Sequence, residues 1–182
     1  MAQQTPTLLT QFEMLASISN LCDKQHQYYA WIANNAQLVN VTSIQCLADY
    51  YPHFVAWLLD ADFRKHECYS NAWQVCSHAY NKYHNLRVEY VEGQLDMHGI
   101  GIDHAFNKVV DWSTGTTREF YIDVTSELVL AKDAQELESQ QCLVFKSFDC
   151  RETAKLLLKT RTHGYVFQQW FRDNIANINT TL

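Results

Sequence analysis

Residues 86–124 read LRVEYVEGQLDMHGIGIDHAFNKVVDWSTGTTREFYIDV and contain three runs in which apolar and polar residues alternate. β-Branched and aromatic residues are frequent in each run, and glycine, aspartate and serine lie between the runs, which is typical of strands joined by turns. The sequence therefore predicts three consecutive strands, LRVEYVEGQL, GIDHAFNKVV and TREFYIDV. This segment decides the fold class, because the sequence before and after it has a different periodicity.

Helical spacing of apolar residues precedes the three strands. Residues 8–38 predict one long helix or two, followed by a turn at residues 39–42. A helical segment is expected over Ser43–Leu59, with Ser43 as its N-cap and Pro52 kinking or dividing it. A further helix is predicted over Cys68–Tyr83, because alanine, valine and cysteine form an apolar stripe along it.

The last part of the chain returns to helical patterns after one more strand. CLVFKSF, residues 142–148, predicts this strand, and Asp149 is a suitable N-cap for a helix that ends near Arg161. A final aromatic helix is expected over Tyr165–Asn174. The order of helices, antiparallel sheet and helices predicts an α+β fold.

Composition and charge limit the functions to be considered. The chain has 182 residues and a formal net charge of −6, which argues against a surface built for nucleic acid. No run of about eighteen apolar residues occurs, and the amino terminus lacks the basic start of a secretion signal. We therefore expect a cytoplasmic protein that binds neither nucleic acid nor membranes.

The six cysteines lack the pattern of a disulfide scaffold or a structural zinc site. We expect no metal and no cofactor. Cys68 is distinguished by its predicted place at the start of a helix, where backbone amides favour an anion and thereby a thiolate. Glu67 beside it would oppose the thiolate unless its side chain points away. The other five are expected to be small structural residues in apolar or capping contexts, at positions 22, 46, 76, 142 and 150.

His104 has one suitable acidic partner in the predicted hairpin. With a four-residue turn at 112–115, opposed residues sum to 227, and His104 then lies directly across from Asp123. Lys108 opposite Glu119 gives the same register a favourable charge pair. Asp103 and Asp111 differ from His104 in parity and are expected on the other face. A carboxylate on one ring nitrogen leaves the other free to act as a base; the alternative is a polar pair without chemistry.

Three segments resemble the transglutaminase-like branch of the papain-like cysteine enzymes. HAFNKV, starting at His104, is similar to the "HAWN.V" strand of that family, and FYIDVT, ending at Thr125, is similar to its "WY.VDVT" strand. CYSNA, starting at Cys68, resembles the nucleophile segment. The resemblance covers about residues 66–127. Phe106 stands where the family has tryptophan, and the turn after the histidine strand is longer than the common one.

The resemblance implies a single domain over residues 1–182, with a nucleophile-bearing helix packed on an antiparallel sheet. Residues 8–60 would form its helical amino-terminal part, residues 66–127 the catalytic helix and strands, and residues 128–182 a strand and the last helices. It also implies Cys68 as nucleophile, His104 as general base and acid, and Asp123 as the orienting acid.

The implied chemistry is acyl transfer at the amide of a protein or peptide substrate, by a peptidase, an amidase or a glutamine deamidase or transamidase. An oxyanion hole needs the Cys68 amide and a second donor, for which His66 and Asn71 are candidates. Glu92 either places a carboxylate near the site or, with Gly93, marks a β-bulge. A different hypothesis is an inactive member of this fold that serves as a protein-binding module or as an effector or phage-type inhibitor.

Overall fold

The computed structural model describes residues 7–18, 20–162 and 164–176. These residues form helices before, between and after the strands of one sheet. The α-helices are α1 Leu8–Ala16, α2 Asp23–Asn35, α3 Pro52–Asp60, α4 Cys68–Ala79, α5 Ala134–Ser139, α6 Cys150–Thr160 and α7 Val166–Phe171. The strands are β1 Gln37–Asn40, β2 Leu86–Met97, β3 Ile100–Asp111, β4 Arg118–Ile122 and β5 Gln141–Phe148. A 3₁₀ turn lies at Ile44–Leu47, and single π-helical turns lie at Thr125–Val129 and Arg172–Ala176.

The five strands form one antiparallel sheet in the order β1-β5-β2-β3-β4. The long hairpin of β2 and β3 is its centre, and α4 packs against both of these strands. The α+β fold class is therefore as predicted. Sequential strands β2, β3 and β4 are also neighbours in space, which the short connections between them favour.

Each face of the sheet buries its own set of side chains, because successive residues of a strand point to opposite faces. Ala105 contributes to a core formed with α1, α2, α4, α6 and α7, whereas its neighbour Phe106 contributes to a core with Leu137 of α5. Helix α4 lies between two cores: Ala72 and Cys76 pack in the first, and Val75 belongs to another with α3. Because side chains along α4 are buried in both cores, the position of its first residue, Cys68, is fixed relative to the sheet.

Most of the predicted elements are present. The three strands of residues 86–124 are confirmed, as are the fourth strand and the helix that Asp149 caps through the backbone amide of Glu152 at 2.8 Å. Residues 8–38 contain two helices rather than one. Ser43 caps only a 3₁₀ turn, and Pro52 begins α3 as its first residue, so the proline divides this segment.

The expected turn at residues 39–42 is wrong, since Gln37–Asn40 is the edge strand β1 and pairs with β5. Four residues, most of them exposed, carry too little alternation to reveal a strand whose stability comes from backbone hydrogen bonds to a neighbour. Helix α5 was not predicted either, although Asp133 and Glu136 form a capping box that the sequence displays.

The predicted hairpin register is also wrong, by two residues. Asp111 is opposite Arg118, so opposed residues of β3 and β4 sum to 229 rather than 227. The turn therefore spans six residues, 112–117, and an ion pair between Asp111 and Arg118 closes it. The Asp111 carboxylate also accepts hydrogen bonds from the Ser113 amide at 2.8 Å and the Tyr51 hydroxyl at 2.8 Å. These partners stabilise the longer turn.

Candidate active site

Cys68 is the first residue of α4 and is half-buried. At the first turn of a helix, the backbone amides have no acceptor within the helix, so the Cys68 amide is available to an external acceptor. Glu67 precedes the helix as its N-cap and is exposed, and its side chain makes no capping hydrogen bond. The thiol thus lies where backbone dipoles favour an anion.

Asn71 holds the loop before this helix in place. Its side-chain oxygen accepts from the Arg64 amide at 3.0 Å, and its Nδ2 donates to the Arg64 carbonyl at 2.8 Å. Nδ2 also donates to Thr125 Oγ1 at 3.0 Å, close in sequence to Asp123. Asn71 therefore ties the start of α4 to the segment that carries the acid, and its amide group is engaged in these contacts.

His104 and Asp123 form a buried pair. His104 Nε2 lies 2.7 Å from Asp123 Oδ2, and the residues are 7% and 1% exposed. Because β4 ends at Ile122, opposite Asn107, His104 lies beyond the β3–β4 ladder and is not directly opposed to Asp123. The predicted contact is confirmed nevertheless, since a register change of two residues keeps every side chain on its face.

Asp123 uses both of its carboxylate oxygens. Oδ1 accepts from the backbone amides of Thr125 at 3.0 Å and Ser126 at 3.1 Å, where the chain enters the π-helical turn. Oδ2 accepts from His104 and from Gln140 Nε2, the latter at 3.2 Å. Four donors thus hold the carboxylate in one orientation and satisfy its charge without water.

The charges of this pair support each other. Burial alone would raise the pKa of Asp123, but the charge of His104 and hydrogen bonds from His104 and Ser126 hold that pKa below its usual range. Burial alone would lower the pKa of His104, but the Asp123 carboxylate outweighs it and raises the pKa of the imidazole. An aspartate–imidazolium pair is therefore the favoured form near neutral pH.

Cys68 contributes to the same environment. A hydrogen bond with the Cys68 side chain and the charge of its thiolate form add to the raised pKa of His104. Because Nε2 donates to Asp123, the ring nitrogen left for the thiol is Nδ1. The structure thus joins the imidazole to the buried carboxylate, and the thiol at the helix start is a neighbour that acts on the pKa of the imidazole.

The three residues proposed as additional site groups lie in different settings. His66 is exposed in the loop before α4 and has a left-handed backbone, with φ of 65°. Asn71 holds that loop, as described above. Glu92 is buried and accepts from the Tyr90 hydroxyl at 2.6 Å and from the amides of Val166 at 2.9 Å and Phe167 at 2.8 Å. Its carboxylate therefore anchors the start of α7.

A β-bulge accompanies Glu92, as one of the two interpretations predicted. The register between β2 and β5 shifts between Glu92 and Gly93. A Cβ atom on Gly93 would lie 1.9 Å from the Leu143 carbonyl oxygen, so only glycine permits the approach of the two strands here. Gly93 also pairs with His104 across the β2–β3 hairpin.

Sequence reasoning missed Gln140. This residue is buried, donates to Asp123 and accepts from Lys132 Nζ. It precedes β5, seventeen residues after Asp123, and no local pattern indicates the contact. Of the cysteines predicted in apolar or capping contexts, Cys76 and Cys142 are buried and Cys22 is the N-cap of α2, as expected, whereas Cys46 is exposed in the 3₁₀ turn.

In the described ranges 7–18, 20–162 and 164–176, no helix has the length and apolar character needed to cross a bilayer. The same residues contain no cluster of three or more histidine, cysteine, aspartate or glutamate side chains suited to a metal ion. Comparisons of the chain with protein-family models, curated proteins and solved structures found no match.

Proposed function

We propose that this protein is a cysteine-dependent enzyme that transfers an acyl group from an amide, with Cys68 as nucleophile, His104 as general base and acid, and Asp123 as the orienting acid. A single observation carries the proposal: one buried imidazole donates to Asp123 from Nε2 at 2.7 Å, and the Cys68 side chain at the start of α4 is among the neighbours that raise the pKa of that imidazole. A papain-like, transglutaminase-like arrangement of the fold belongs to the same proposal.

The proposed reaction has two steps. The Cys68 thiolate attacks the amide carbonyl, a C–S bond forms, the C–N bond breaks, and His104 delivers its proton to the leaving amine. Water or another amine then attacks the thioester, His104 accepts the proton of the attacking molecule, the C–S bond breaks, and Cys68 leaves as the thiolate. The open Cys68 amide at the helix start would stabilise the oxyanion in each step.

Asp123 has a defined task in this scheme. A carboxylate that holds Nε2 fixes the ring and stabilises the imidazolium, which the first step consumes and the second step restores. Gln140 and the two backbone amides keep that carboxylate from rotating. Gln140 is thus a positioning residue, which acts through Asp123 and not on the substrate.

The test of this proposal is the reactivity of Cys68 toward iodoacetamide at near-neutral pH, with the modified site identified by mass spectrometry. The exposed thiols are removed first, by Cys22→Ser and Cys46→Ser. We expect Cys68 to react fastest, and His104→Ala to slow its reaction about tenfold or more, because the imidazolium that favours the thiolate is lost. His84→Ala, at an exposed histidine, is the matched control.

A second measurement separates acyl transfer from mere thiol reactivity. Acetylation of Cys68 by p-nitrophenyl acetate, followed by its loss to water or hydroxylamine, would report both steps. Asp123→Asn should reduce this turnover strongly, and Asp111→Asn, which removes an equally buried carboxylate from the hairpin turn, should leave it nearly unchanged. Equal reactivity of Cys68 and the other thiols, indifferent to His104, would overturn the proposal in favour of an inactive fold.

A further inference from the structure

A closed network of hydrogen bonds joins Asp123 to the surface of the molecule. Asp123 Oδ1 accepts from the Ser126 amide at 3.1 Å, and the Ser126 carbonyl accepts from the Lys132 amide at 3.1 Å. The Lys132 ammonium donates to Gln140 Oε1, and Gln140 Nε2 donates to Asp123 Oδ2 at 3.2 Å. We call these four residues the Asp123 network. Three of them are buried, whereas Lys132 is half-buried.

The chemistry of its members gives the Asp123 network one direction. A lysine ammonium can only donate and a carboxylate can only accept, whereas a glutamine amide has a donating end and an accepting end. Between Lys132 and Asp123, only one orientation of the Gln140 amide makes both hydrogen bonds. The reverse orientation would place Oε1 against the carboxylate and Nε2 against the ammonium, so both contacts would become repulsive. Lys132 therefore determines which end of the amide faces Asp123.

The acids that share a cavity with Lys132 have other partners. Lys132 lines a cavity of about 500 Å³ that is open to solvent, together with Asp96 and Glu136. Both carboxylates accept hydrogen bonds from backbone amides, at 2.6 and 2.9 Å. Within residues 7–18, 20–162 and 164–176, Lys132 forms an ion pair with neither acid. Its ammonium is directed to Gln140 instead, and through that amide to Asp123.

The backbone at Ala131 holds Lys132 in the Asp123 network. Ala131 has a left-handed conformation with φ of 53°, which costs alanine energy because of its Cβ and costs glycine almost none. It follows the end of the π-helical turn, and it sets the direction in which the next amide, that of Lys132, reaches the Ser126 carbonyl. Strain of this kind persists where the surrounding contacts over-determine it, and the contacts of Lys132 do so here.

The charge of Lys132 reaches the buried region around Asp123. The Cys142 thiol lies 3.8 Å from Gln140 Nε2. Burial and the charge of Asp123 raise the pKa of this thiol, whereas the hydrogen bond from Gln140 and the charge of Lys132 oppose the rise. One buried thiol thus senses the acid and the lysine together, and the Gln140 amide lies between these two charges.

We infer that Lys132 is a positioning residue of the proposed active site: its ammonium fixes the Gln140 amide with Nε2 toward Asp123, and this amide in turn holds the carboxylate in place. Lys132 touches neither the substrate nor the reacting atoms. The catalytic consequence rests on the proposed function, because Asp123 is the acid that orients His104 there. The orientation of the amide and the carboxylate can be measured whether or not the protein is an enzyme.

The test is a double-mutant cycle read by NMR. The signal is the proton that His104 Nε2 donates to Asp123, which resonates downfield and exchanges slowly while this charged hydrogen bond is intact. Lys132→Met keeps the length of the side chain but removes the donor and the charge, and it should speed exchange of this proton about fivefold. Gln140→Leu should have a similar or larger effect. Lys132→Met should add nothing when Gln140→Leu is already present, because the lysine acts only through the amide.

Further variants separate a positioning role from a structural one. Lys132→Arg keeps the donor and the charge, so the signal should return nearly to its original position. Lys132→Gln, whose amide both donates and accepts and so imposes no direction, should behave like Lys132→Met and replaces it if that variant does not fold. Lys155→Met, at an exposed lysine of α6, should change nothing. Additive effects in the cycle, or equal losses in Lys132→Met and Lys132→Arg, would overturn the inference.

Turnover of p-nitrophenyl acetate gives the catalytic readout. Lys132→Met should lower kcat about fivefold and leave KM unchanged, because it misplaces Asp123 without touching the substrate. A rise in KM at constant kcat would place Lys132 at the substrate and overturn the inference. If Cys68 alkylation is indifferent to His104, the proposed function fails and a non-additive NMR cycle still supports the role of Lys132. Normal His104 dependence with additive NMR effects would remove that role and leave the proposed function intact.

Discussion

At the residue scale, the two oxygens of Asp123 have separate partners. Oδ1 binds backbone amides at the entry to the π-helical turn, and Oδ2 binds the side chains of His104 and Gln140. The backbone contacts fix the carboxylate relative to the fold, and the side-chain contacts fix the imidazole relative to the carboxylate. The orientation of His104 is thus determined by the main chain through one intermediate residue.

The protonation of His104 can be measured directly. The raised pKa predicts that the ring stays protonated across about pH 5 to 8, where an ordinary histidine titrates. NMR signals of the His104 ring should therefore be constant over this interval. In Asp123→Asn the charge that raises the pKa is gone while the burial that lowers it remains, so the ring should be neutral at pH 7. An ordinary titration of His104 in the unmodified protein would contradict the buried ion pair.

At the element scale, the hairpin shows what a sequence can predict about a site. The alternation of apolar and polar residues along 101–110 and 117–124 was sufficient to predict that His104 and Asp123 lie on one face of the sheet. Their contact is present although the predicted register was wrong. Lys108 and Glu119 still form an ion pair at 2.8 Å, although they are diagonal neighbours and not opposed. A favourable charge pair therefore indicates that two residues share a face of the sheet, but it does not determine the strand register. The long lysine side chain can reach an acid directly opposite or one in a diagonal position.

The contacts that sequence reasoning missed share a physical cause. The turn length depends on a network that includes Tyr51, sixty residues before Asp111, and the support of Asp123 depends on Gln140. Such partners are selected by tertiary packing, and local periodicity carries no trace of them. The start of α4 at Cys68, by contrast, followed from local features alone.

Disruption of the β-bulge at Glu92 and Gly93 should cause a large loss in the free energy of unfolding. Gly93→Ala places a Cβ against the Leu143 carbonyl, so β2 and β5 must separate, and we expect a loss of about 3 kcal/mol in the free energy of unfolding. Urea denaturation measures the effect. Gly101→Ala is the control: its Cβ would meet mainly the flexible end of Gln94 and should cost about 1 kcal/mol or less. Similar losses in the two variants would refute the close approach of β2 and β5.

At the scale of the whole molecule, an ion pair with a buried carboxylate lies at each end of the β3–β4 hairpin. Asp111 with Arg118 closes the turn, and Asp123 with His104 lies where the strands diverge. Both carboxyls are almost completely buried. The hydrophobic cores between these two ends give the sheet its stability, and the charged pairs make that stability depend on pH.

The pH dependence of unfolding follows from these pairs. The pKa of each carboxyl is lowered from 3.8 to about 2, so the unfolded chain binds more protons in this interval. Their contribution is present above about pH 4 and is lost as the pH falls toward 2. The raised pKa of His104 acts in the other direction: its contribution is present below 6.5 and is lost as the pH rises through the folded value, about 10.

We therefore expect a maximum of stability between these limits, measured as the free energy of unfolding in urea from about pH 3 to 9. Asp111→Asn should reduce the loss on the acidic side, because the folded and unfolded states then bind more nearly equal numbers of protons. Asp60→Asn, at an exposed carboxyl, should leave the acidic side unchanged. The same acid dependence in the unmodified protein and in Asp111→Asn would exclude the buried Asp111 carboxylate as its source.

Insertions in the six-residue turn of the β3–β4 hairpin and insertions in strand β4 should have different consequences for the site. Length variation inside the exposed residues 114–117 alters neither strand, so it can accumulate without touching the site. A single-residue insertion between Arg118 and Ile122 reverses the alternation on one side of it, whereas an insertion of two restores it. Related sequences should therefore differ freely in this turn, and within the strand their insertions should come in pairs.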